Sequence, residues 1–244
     1  MTEWRKFINE IEDSSSEHDE IETSYPEATA SAHHYHRKQT RRSGDPYVKH
    51  PKEVAIIIRR FYGSNQSVSQ NEFKQMMDVA LLHDTIEDAH KNLPDDLQRA
   101  KDKLDALLIQ KKISQASYDE RLYQIGEDSR LRVIHDIAGF HGMNVLNDVQ
   151  SLSHDENISY SQYVSSISED PILIRVKLAD MLHNSKDISA PPSWSEKDFI
   201  CNDSLKGWEK YRCALVMLEE IHGGKPDPID DRHWIELKNA FNIS

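Results

Sequence analysis

Apolar residues recur at helical spacings of three and four along most of this chain, and this periodicity is the strongest constraint on its fold. Between residues 71 and 88, for example, one helical stripe contains Phe73, Met76, Met77, Ala80 and Leu81. Runs of alternating β-branched residues bounded by turns are scarce, and glycine occurs only 8 times in 244 residues. The pattern therefore predicts an all-α fold in which the helices pack as a bundle.

Prolines and glycines mark where several of these helices are predicted to begin, break or end. Pro51 and Pro171 suit the first turn of a helix, because the N–H that proline lacks would have no helical partner there. Gly63 and the pair Gly223–Gly224 suit helix ends. A glycine-containing break at residues 139–142 predicts two short helices in place of one long helix.

Changes in composition predict how the chain is organised. Residues 1–29 form an N-terminal segment that we expect to be partly flexible, because the stretch from 13 to 27 is rich in serine and acidic residues. Residues 30–222 form the main domain, and residues 223–244 form a C-terminal extension. Within the main domain, leucines in a charged segment at 93–129 predict an inserted antiparallel helical hairpin. Our hypothesis is that this hairpin is a lid or an interaction arm.

Charge and hydropathy exclude two classes of partner. The formal net charge of −12 argues against general nucleic-acid binding, which depends on clustered Lys and Arg. No apolar run approaches the roughly 20 residues that cross a bilayer, and the N-terminal residues lack the apolar core of a secretory signal. We therefore expect a cytoplasmic protein that binds neither nucleic acid nor membrane.

The chain contains two cysteines, Cys201 and Cys213. Two cysteines without a second pair support neither a disulfide framework nor a zinc ribbon. The sequence therefore predicts two buried thiols.

Histidine and acidic residues cluster at the end of the segment that carries the apolar stripe. His83 and Asp84 are adjacent, and Glu87 and Asp88 follow one turn later, so a continued helix would point all four to one side. The preceding residues are apolar, which predicts partial burial, and buried carboxylates are costly without a cation beside them. The segment therefore predicts a divalent metal site.

Further metal ligands must come from distant parts of the chain, because the adjacent His83 and Asp84 supply only two. Asp180 interrupts an apolar helical segment in which an unpaired acid would be costly, and His50 directly precedes Pro51. Imidazole and carboxylate ligands together suit Mn²⁺, Fe²⁺ or Zn²⁺ in a site that keeps exchangeable waters. Such a water is a nucleophile for phosphoryl transfer.

The order H…HD…D resembles the signature of the HD phosphohydrolase superfamily, and its flanking phrases are similar to the hydrolase domain of RelA/SpoT enzymes. RRSGDPYVKHPKEVA at 41–55 resembles the R-x-S-G-x-P-Y-x-x-H-P motif of that group. ALLHDTIEDA at 80–89 and VKLADMLHN at 176–184 are similar to its A-L-L-H-D-x-x-E-D-T and K-L-A-D-R-L-H-N motifs, with Ala89 and Met181 in place of Thr and Arg. The resemblance covers roughly residues 30–220, apart from the hairpin, and implies an HD-domain helical bundle.

The resemblance implies roles for the matching residues of this chain. The ligands of one Mn²⁺, or of another divalent metal, would be His50, His83, Asp84 and Asp180. Glu87 and Asp88 would position and deprotonate the attacking water. The residues that would contact a nucleotide are Arg41, Arg42, Ser43, Tyr47 and Asn184.

The resemblance also implies a reaction, which is hydrolysis of the 3′-pyrophosphate of the alarmone ppGpp or pppGpp to GDP or GTP and pyrophosphate. Two alternatives stay open at this point. One is a phosphohydrolase that acts on another purine nucleotide, such as ppApp or NADPH, and the other is a non-catalytic alarmone sensor. The expected partner is in each case a small nucleotide, and the sequence leaves open whether the chain forms a homo-oligomer.

Overall fold

The structure is a computed structural model that describes residues 15–154, 158–188, 190–191, 199–202 and 204–243. Within these ranges the chain forms eleven α-helices and one short 3₁₀ turn, Ala89–Lys91. The helices are α1 (Ser15–Ser24), α2 (Pro26–His36), α3 (Lys49–Tyr62), α4 (Gln70–Leu82), α5 (Asp95–Ile109), α6 (Gln115–His141), α7 (Met143–Leu152), α8 (Tyr160–Ser166), α9 (Pro171–Asn184), α10 (Trp208–His222) and α11 (Asp231–Ala240).

The prediction of an all-α fold is confirmed. Extended pairing within the described ranges is limited to an isolated bridge between Thr40 and Pro46. Among the described residues, no helix combines the length and the apolar character that crossing a membrane requires.

The predicted helix boundaries agree with capping interactions at several positions. Pro51 lies in the first turn of α3, and the N–H of Gly63 donates to the carbonyl of Arg59 at its end. The carboxylate of Asp170 accepts hydrogen bonds from the backbone of Ile172 and Leu173, at 2.8 and 3.1 Å, and so caps α9. Helix α10 ends at Gly223, whose φ of +63° suits a residue without a Cβ.

Helices α3, α4 and α9 pack against one another and supply the centre of the core. Fully buried apolar side chains line their contacts, including Ile58 on α3, Leu81 on α4 and Ile174 on α9. Burial of each such side chain stabilises the fold by about 1.5–3 kcal/mol before conformational entropy is counted. Because these three helices carry or adjoin every predicted metal ligand, the core also fixes the geometry of the site.

The described part of the N-terminal segment is helical. Residues 15–36 form helices α1 and α2, and Ile21 is fully buried. Ion pairs join α1 to α3, with His18 Nε2 2.6 Å from Glu53 Oε1 and Glu22 paired with Lys52. Charged side chains of α1 are thus paired with α3 and are not simply exposed to solvent. Residues 1–14 lie outside the described residues.

The predicted hairpin is present as α5 and α6, but its second arm is longer than the sequence indicated. Helix α6 continues past residue 129 to His141, so the hairpin merges with the helix that follows it. The predicted break occurs at Gly142, whose φ is +87°, whereas Gly139 stays inside α6. A left-handed φ is readily available only to glycine, which explains why the helix ends there.

The C-terminal extension packs into the same core as the main domain. Helix α11 contacts α9, and it buries Trp234 and Leu237. Phe241, which follows it, is also fully buried.

The expectation of two free thiols is wrong, because the structure joins Cys201 and Cys213 in a disulfide with Cα atoms 5.2 Å apart. Their separation of 12 residues suggested no such pairing, since the approach of residue 201 to α10 depends on how the intervening chain folds. The disulfide ties the segment 199–202 to α10.

Candidate metal centre

The four predicted metal ligands converge at one point. His50 lies in the first turn of α3, His83 and Asp84 directly follow α4, and Asp180 lies in the third turn of α9. Ligand atoms of His50, His83 and Asp180 all lie within 4.8 Å of one another. Oδ2 of Asp84 lies 3.4 Å from Nε2 of His50 and 3.1 Å from Nε2 of His83. Two imidazoles and two carboxylates therefore face a common centre.

The hydrogen bonds of His83 show which of its nitrogens faces this centre. Nδ1 lies 2.9 Å from the carbonyl oxygen of Ala80, and a carbonyl only accepts, so Nδ1 carries the proton. Nε2 is buried and makes no hydrogen bond with any described residue, although Asp84 Oδ2 is close. A buried lone pair beside anionic oxygens is unfavourable unless a cation lies between them. The donor set at His83 thus fits a metal ion.

His50 is oriented in a similar way by a second imidazole. Its Nδ1 lies 2.7 Å from Nδ1 of His183, and its Nε2 lies 3.2 Å from Oδ1 of Asp180. Burial and the neighbouring His50 hold the pKa of His183 well below its usual value, so His183 is neutral. His183 therefore orients His50 and does not itself face the centre.

The electrostatics of the cluster favour positive charge at its centre. Burial alone would lower the pKa of His83, but Asp84 and Asp180 outweigh burial and raise that pKa well above its usual value. Burial alone would raise the pKa of Asp180, but Lys177 and the two imidazoles hold it well below its usual value. Both carboxylates are thus ionised, and their negative charge favours a cation at this centre, either a proton on His83 or a metal ion.

The Asp180 carboxylate is also held by two residues of its own helix. Nδ2 of Asn184 donates to Oδ1 at 2.6 Å, and Nζ of Lys177 donates to Oδ2 at 3.0 Å. Asn184 in turn accepts from Nη2 of Arg41 at 3.2 Å, and Arg41 pairs with Asp187 at 2.5 Å. Sequence reasoning placed Asn184 and Arg41 at the substrate but omitted Lys177, whose spacing of three from Asp180 was the available signal.

The remaining residues predicted to contact a nucleotide divide into two groups. The hydroxyl of Tyr47 donates to Oδ2 of Asp84 at 2.6 Å, and burial together with Asp84 raises its pKa. Tyr47 is therefore tied to a predicted metal ligand. Arg42 and Ser43 are exposed on the turn that follows Arg41, and the hydroxyl of Ser43 donates to Asp45. Within the described ranges, no hydrogen bond or ion pair joins Arg42 or Ser43 to the four-ligand cluster.

The prediction that His83, Asp84, Glu87 and Asp88 share one helical face is wrong. Helix α4 ends at Leu82, and residues 83–88 form consecutive turns. The hydroxyl of Thr85 donates to the carbonyl of Leu82 at 2.6 Å and its N–H to the same carbonyl at 3.0 Å, which tightens the backbone here. The turns let Asp84 reach the cluster, whereas Asp88 bonds to Gln39 and Lys91. Glu87 stays near enough to the cluster for Asp84 and Asp180 to raise its pKa.

Glu87 and Asp88 lie in different environments. Asp88 is buried and accepts hydrogen bonds from Nε2 of Gln39, at 3.0 Å, and from Lys91. Glu87 is exposed at the edge of a cleft of about 730 Å³ between the 83–91 turn and helices α6 and α7. Partial burial and the nearby Asp84 raise the pKa of the Glu87 carboxyl. Solvent in the cleft therefore has direct access to Glu87 but not to Asp88.

No protein-family model matches the chain. The GTP pyrophosphokinase rsh of Brucella melitensis biotype 1 is 29% identical over 178 residues, which cover 65% of this chain and 22% of that protein. The guanosine-3′,5′-bis(diphosphate) 3′-pyrophosphohydrolase of Borreliella burgdorferi is 26% identical over 174 residues, which cover 71% of this chain and 20% of that protein. Probable GTP diphosphokinase RSH2, chloroplastic, of Oryza sativa subsp. japonica is 27% identical over 191 residues, which cover 75% of this chain and 20% of that protein.

The chain spans about a fifth of the length of these curated relatives. Their names include both pyrophosphokinases that act on GTP and a hydrolase of guanosine bis(diphosphate), so the similarity does not select between synthesis and hydrolysis. The motifs predicted a likeness to RelA/SpoT enzymes, and this likeness is confirmed as sequence similarity at low identity. The chain is thus similar to part of several enzymes of ppGpp metabolism.

Proposed function

We propose that this chain is an HD-type phosphohydrolase that removes the 3′-pyrophosphate of ppGpp or pppGpp and releases GDP or GTP with pyrophosphate. The observation that carries the proposal is the buried convergence of His50, His83, Asp84 and Asp180. Hydrolysis needs an activated water, and imidazole and carboxylate ligands suit metals that activate water. The similarity to the Borreliella burgdorferi hydrolase supports the choice of substrate.

The residues that would hold a divalent metal, with Mn²⁺ as our first choice, are these four. The buried and unpartnered Nε2 of His83 is the strongest sign that the cluster fits a cation. When bound, such an ion would lower the pKa of a coordinated water and offset the charge of the two carboxylates. Tyr47 and Asn184 hold Asp84 and Asp180 in place through hydrogen bonds of 2.6 Å each, so both ligands are positioned before a metal binds.

Glu87 and Asp88 have different tasks in this proposal. Glu87 faces the open cleft, where it can accept the proton of a water, so we assign it the role of general base. Asp88 is held by Gln39 and Lys91 and is closed off from solvent, so we assign it a positioning role for the 83–88 turns. Arg41 lies one side chain away from Asp180, through Asn184, where its guanidinium can pair with a phosphate group.

The role of Glu87 is tested by comparing Glu87→Gln with Glu120→Gln, a change at an exposed glutamate on α6 that serves as the matched control. We expect Glu87→Gln to lower kcat for ppGpp by about 10²–10⁴-fold, the usual contribution of a general base. KM and the thermal midpoint should change little, and Glu120→Gln should be within twofold of the unmodified protein. A Glu87→Gln variant with unreduced kcat would refute the assignment.

The substrate is tested by offering ppGpp, ppApp and NADPH to the same Mn²⁺-supplemented protein and measuring every product. We expect pyrophosphate release from ppGpp to exceed turnover of the other two. Preferential turnover of ppApp or NADPH would support the proposed metal centre but would refute ppGpp as the substrate. Tight binding of ppGpp without any product would identify a sensor and refute hydrolysis.

A further inference from the structure

A group of aromatic and basic side chains lies beside Asp180 on helices α8, α9 and α10. Lys210 Nζ lies 4.2 Å from the ring centre of Tyr160 and 5.0 Å from that of Tyr211. Lys177 Nζ lies 5.8 Å from the ring centre of Tyr160 and 5.5 Å from that of Tyr163. We call these five residues the tyrosine–lysine wall.

The two lysines of the wall differ in their partners. Lys177 donates to Oδ2 of Asp180 at 3.0 Å, so a carboxylate offsets its charge. Lys210 contacts the faces of two tyrosine rings and forms no ion pair within the part of the chain that the structure describes. Burial and the charge of Lys177 lower the pKa of Lys210, while Asp180 and Glu87 act in the opposite direction. Lys210 is thus close enough to the metal centre for the acids there to affect it.

Tyr160 gives an independent sign that the wall binds a ligand. Its hydroxyl oxygen is buried and has no hydrogen-bond partner among the described residues. By contrast, the hydroxyl of Tyr163 donates to the carbonyl of Leu152 at 2.6 Å. Buried hydroxyls in folded proteins are almost always hydrogen-bonded, so the Tyr160 hydroxyl is a donor that lacks an acceptor. The ammonium group of Lys210, which lies over the Tyr160 ring, and the unpaired Tyr160 hydroxyl together match a ligand that offers anionic oxygens.

We propose that Lys210 and Tyr160 bind a phosphate group of the substrate beside the metal centre. The proposal rests on the proposed function for the identity of the substrate, but the chemistry of the wall requires only a phosphate or pyrophosphate anion. Lys210 supplies the charge, the Tyr160 hydroxyl supplies a second donor, and Lys177 stays with Asp180. Because ppGpp carries two pyrophosphate groups, a second cationic contact away from Arg41 would help to fix its orientation.

The first measurement is calorimetric titration of the purified protein with inorganic pyrophosphate, without added metal, so that binding is separated from turnover. We expect Lys210→Met and Tyr160→Phe each to weaken pyrophosphate binding by roughly ten- to hundredfold, the effect of one hydrogen bond to a charged group. Lys210→Arg should retain most of the affinity, because it keeps the charge. The matched control is Lys206→Met, at an exposed lysine just before α10, which should keep the affinity.

Steady-state kinetics with ppGpp then distinguish failure of this proposal from failure of the proposed function. If the unmodified protein hydrolyses ppGpp and the Lys210→Met and Tyr160→Phe variants keep its KM and its pyrophosphate affinity, the wall is structural and this inference is overturned. If the unmodified protein does not hydrolyse ppGpp but binds pyrophosphate through Lys210, the wall stands and the proposed function fails. A raised KM for ppGpp in the two variants, with folding unchanged, supports this proposal and the proposed function together.

Discussion

Protonation of His233 is expected to destabilise the fold at mildly acidic pH. This histidine lies on α11, has an exposed fraction of 0%, and stacks on Phe61 with ring centres 4.7 Å apart and planes 6° apart. Its Nδ1 lies 2.8 Å from the hydroxyl of Tyr62, which donates to it. Burial lowers the pKa of His233 to about 3. Since Phe61 and Tyr62 belong to α3, the neutral imidazole helps to hold α11 against the helix that carries His50.

The sign and size of the effect follow from the two pKa values. The folded state keeps His233 neutral down to about pH 3, whereas the unfolded chain protonates near pH 6.5. Between these values the unfolded state binds the additional proton, so stability is complete above pH 6.5 and falls as the pH decreases towards 3. At pH 5, which is about 1.5 units below the pKa of histidine in the unfolded chain, the free energy of unfolding is lower by about 2 kcal/mol.

Urea unfolding at pH 7.5 and at pH 5 measures this loss directly. His233→Gln removes the titration but keeps an acceptor for Tyr62, and His135→Gln, at an exposed position on α6, is the matched control. Other histidines contribute equally to all three proteins, so we expect the unmodified protein and the His135→Gln variant to lose about 2 kcal/mol more than His233→Gln. Equal losses in all three proteins would refute a neutral, buried His233.

Three further changes test other parts of the structure. Asp170→Ala should lower the free energy of unfolding by about 1 kcal/mol, because it removes the cap of α9, and a urea midpoint equal to the unmodified one would contradict that role. Lys111→Gly should raise the free energy of unfolding by about 0.5–1 kcal/mol in the same assay, since Lys111 has a φ of +56°, and a loss of stability would argue against this backbone conformation. Replacing residues 102–121 of the hairpin by a short glycine–serine turn should raise KM for ppGpp, because α6 lines the cleft beside Glu87; unchanged KM and unchanged size on sedimentation would remove any role as lid or interaction arm.

The features that the sequence predicted well depend on local periodicity and on backbone chemistry. Apolar spacing in segments such as 172–182 is strong enough to identify buried helices, and Pro171 and Gly63 mark boundaries through their own restrictions. The order of His50, His83, Asp84 and Asp180 could be read as one site because each lies in or beside an apolar helix. The structure places these four side chains together.

The features that the sequence did not predict depend on tertiary contacts. Helix α4 ends at Leu82 because Thr85 competes for the helical carbonyl, a choice that helical spacing does not reveal. Helix α1 is polar, with Ile21 as its one apolar residue, and it is stabilised by contacts with α3, such as His18 with Glu53. The spacing of three between Lys177 and Asp180 permits a contact, but only the structure shows that the Lys177 side chain turns towards Asp180 and donates to it.

The most direct test of the central claim is hydrolysis of ppGpp by the purified protein in water enriched in ¹⁸O, with and without Mn²⁺, followed by mass spectrometry of both products. If water attacks the 3′-linked phosphorus, the account predicts Mn²⁺-dependent release of equal amounts of GDP and pyrophosphate, with one ¹⁸O atom in the pyrophosphate and none in the GDP. His83→Ala and Asp180→Ala should abolish this release, since each removes a ligand of the proposed centre. Label in the GDP, unlabelled pyrophosphate, or release that persists in both variants would contradict it.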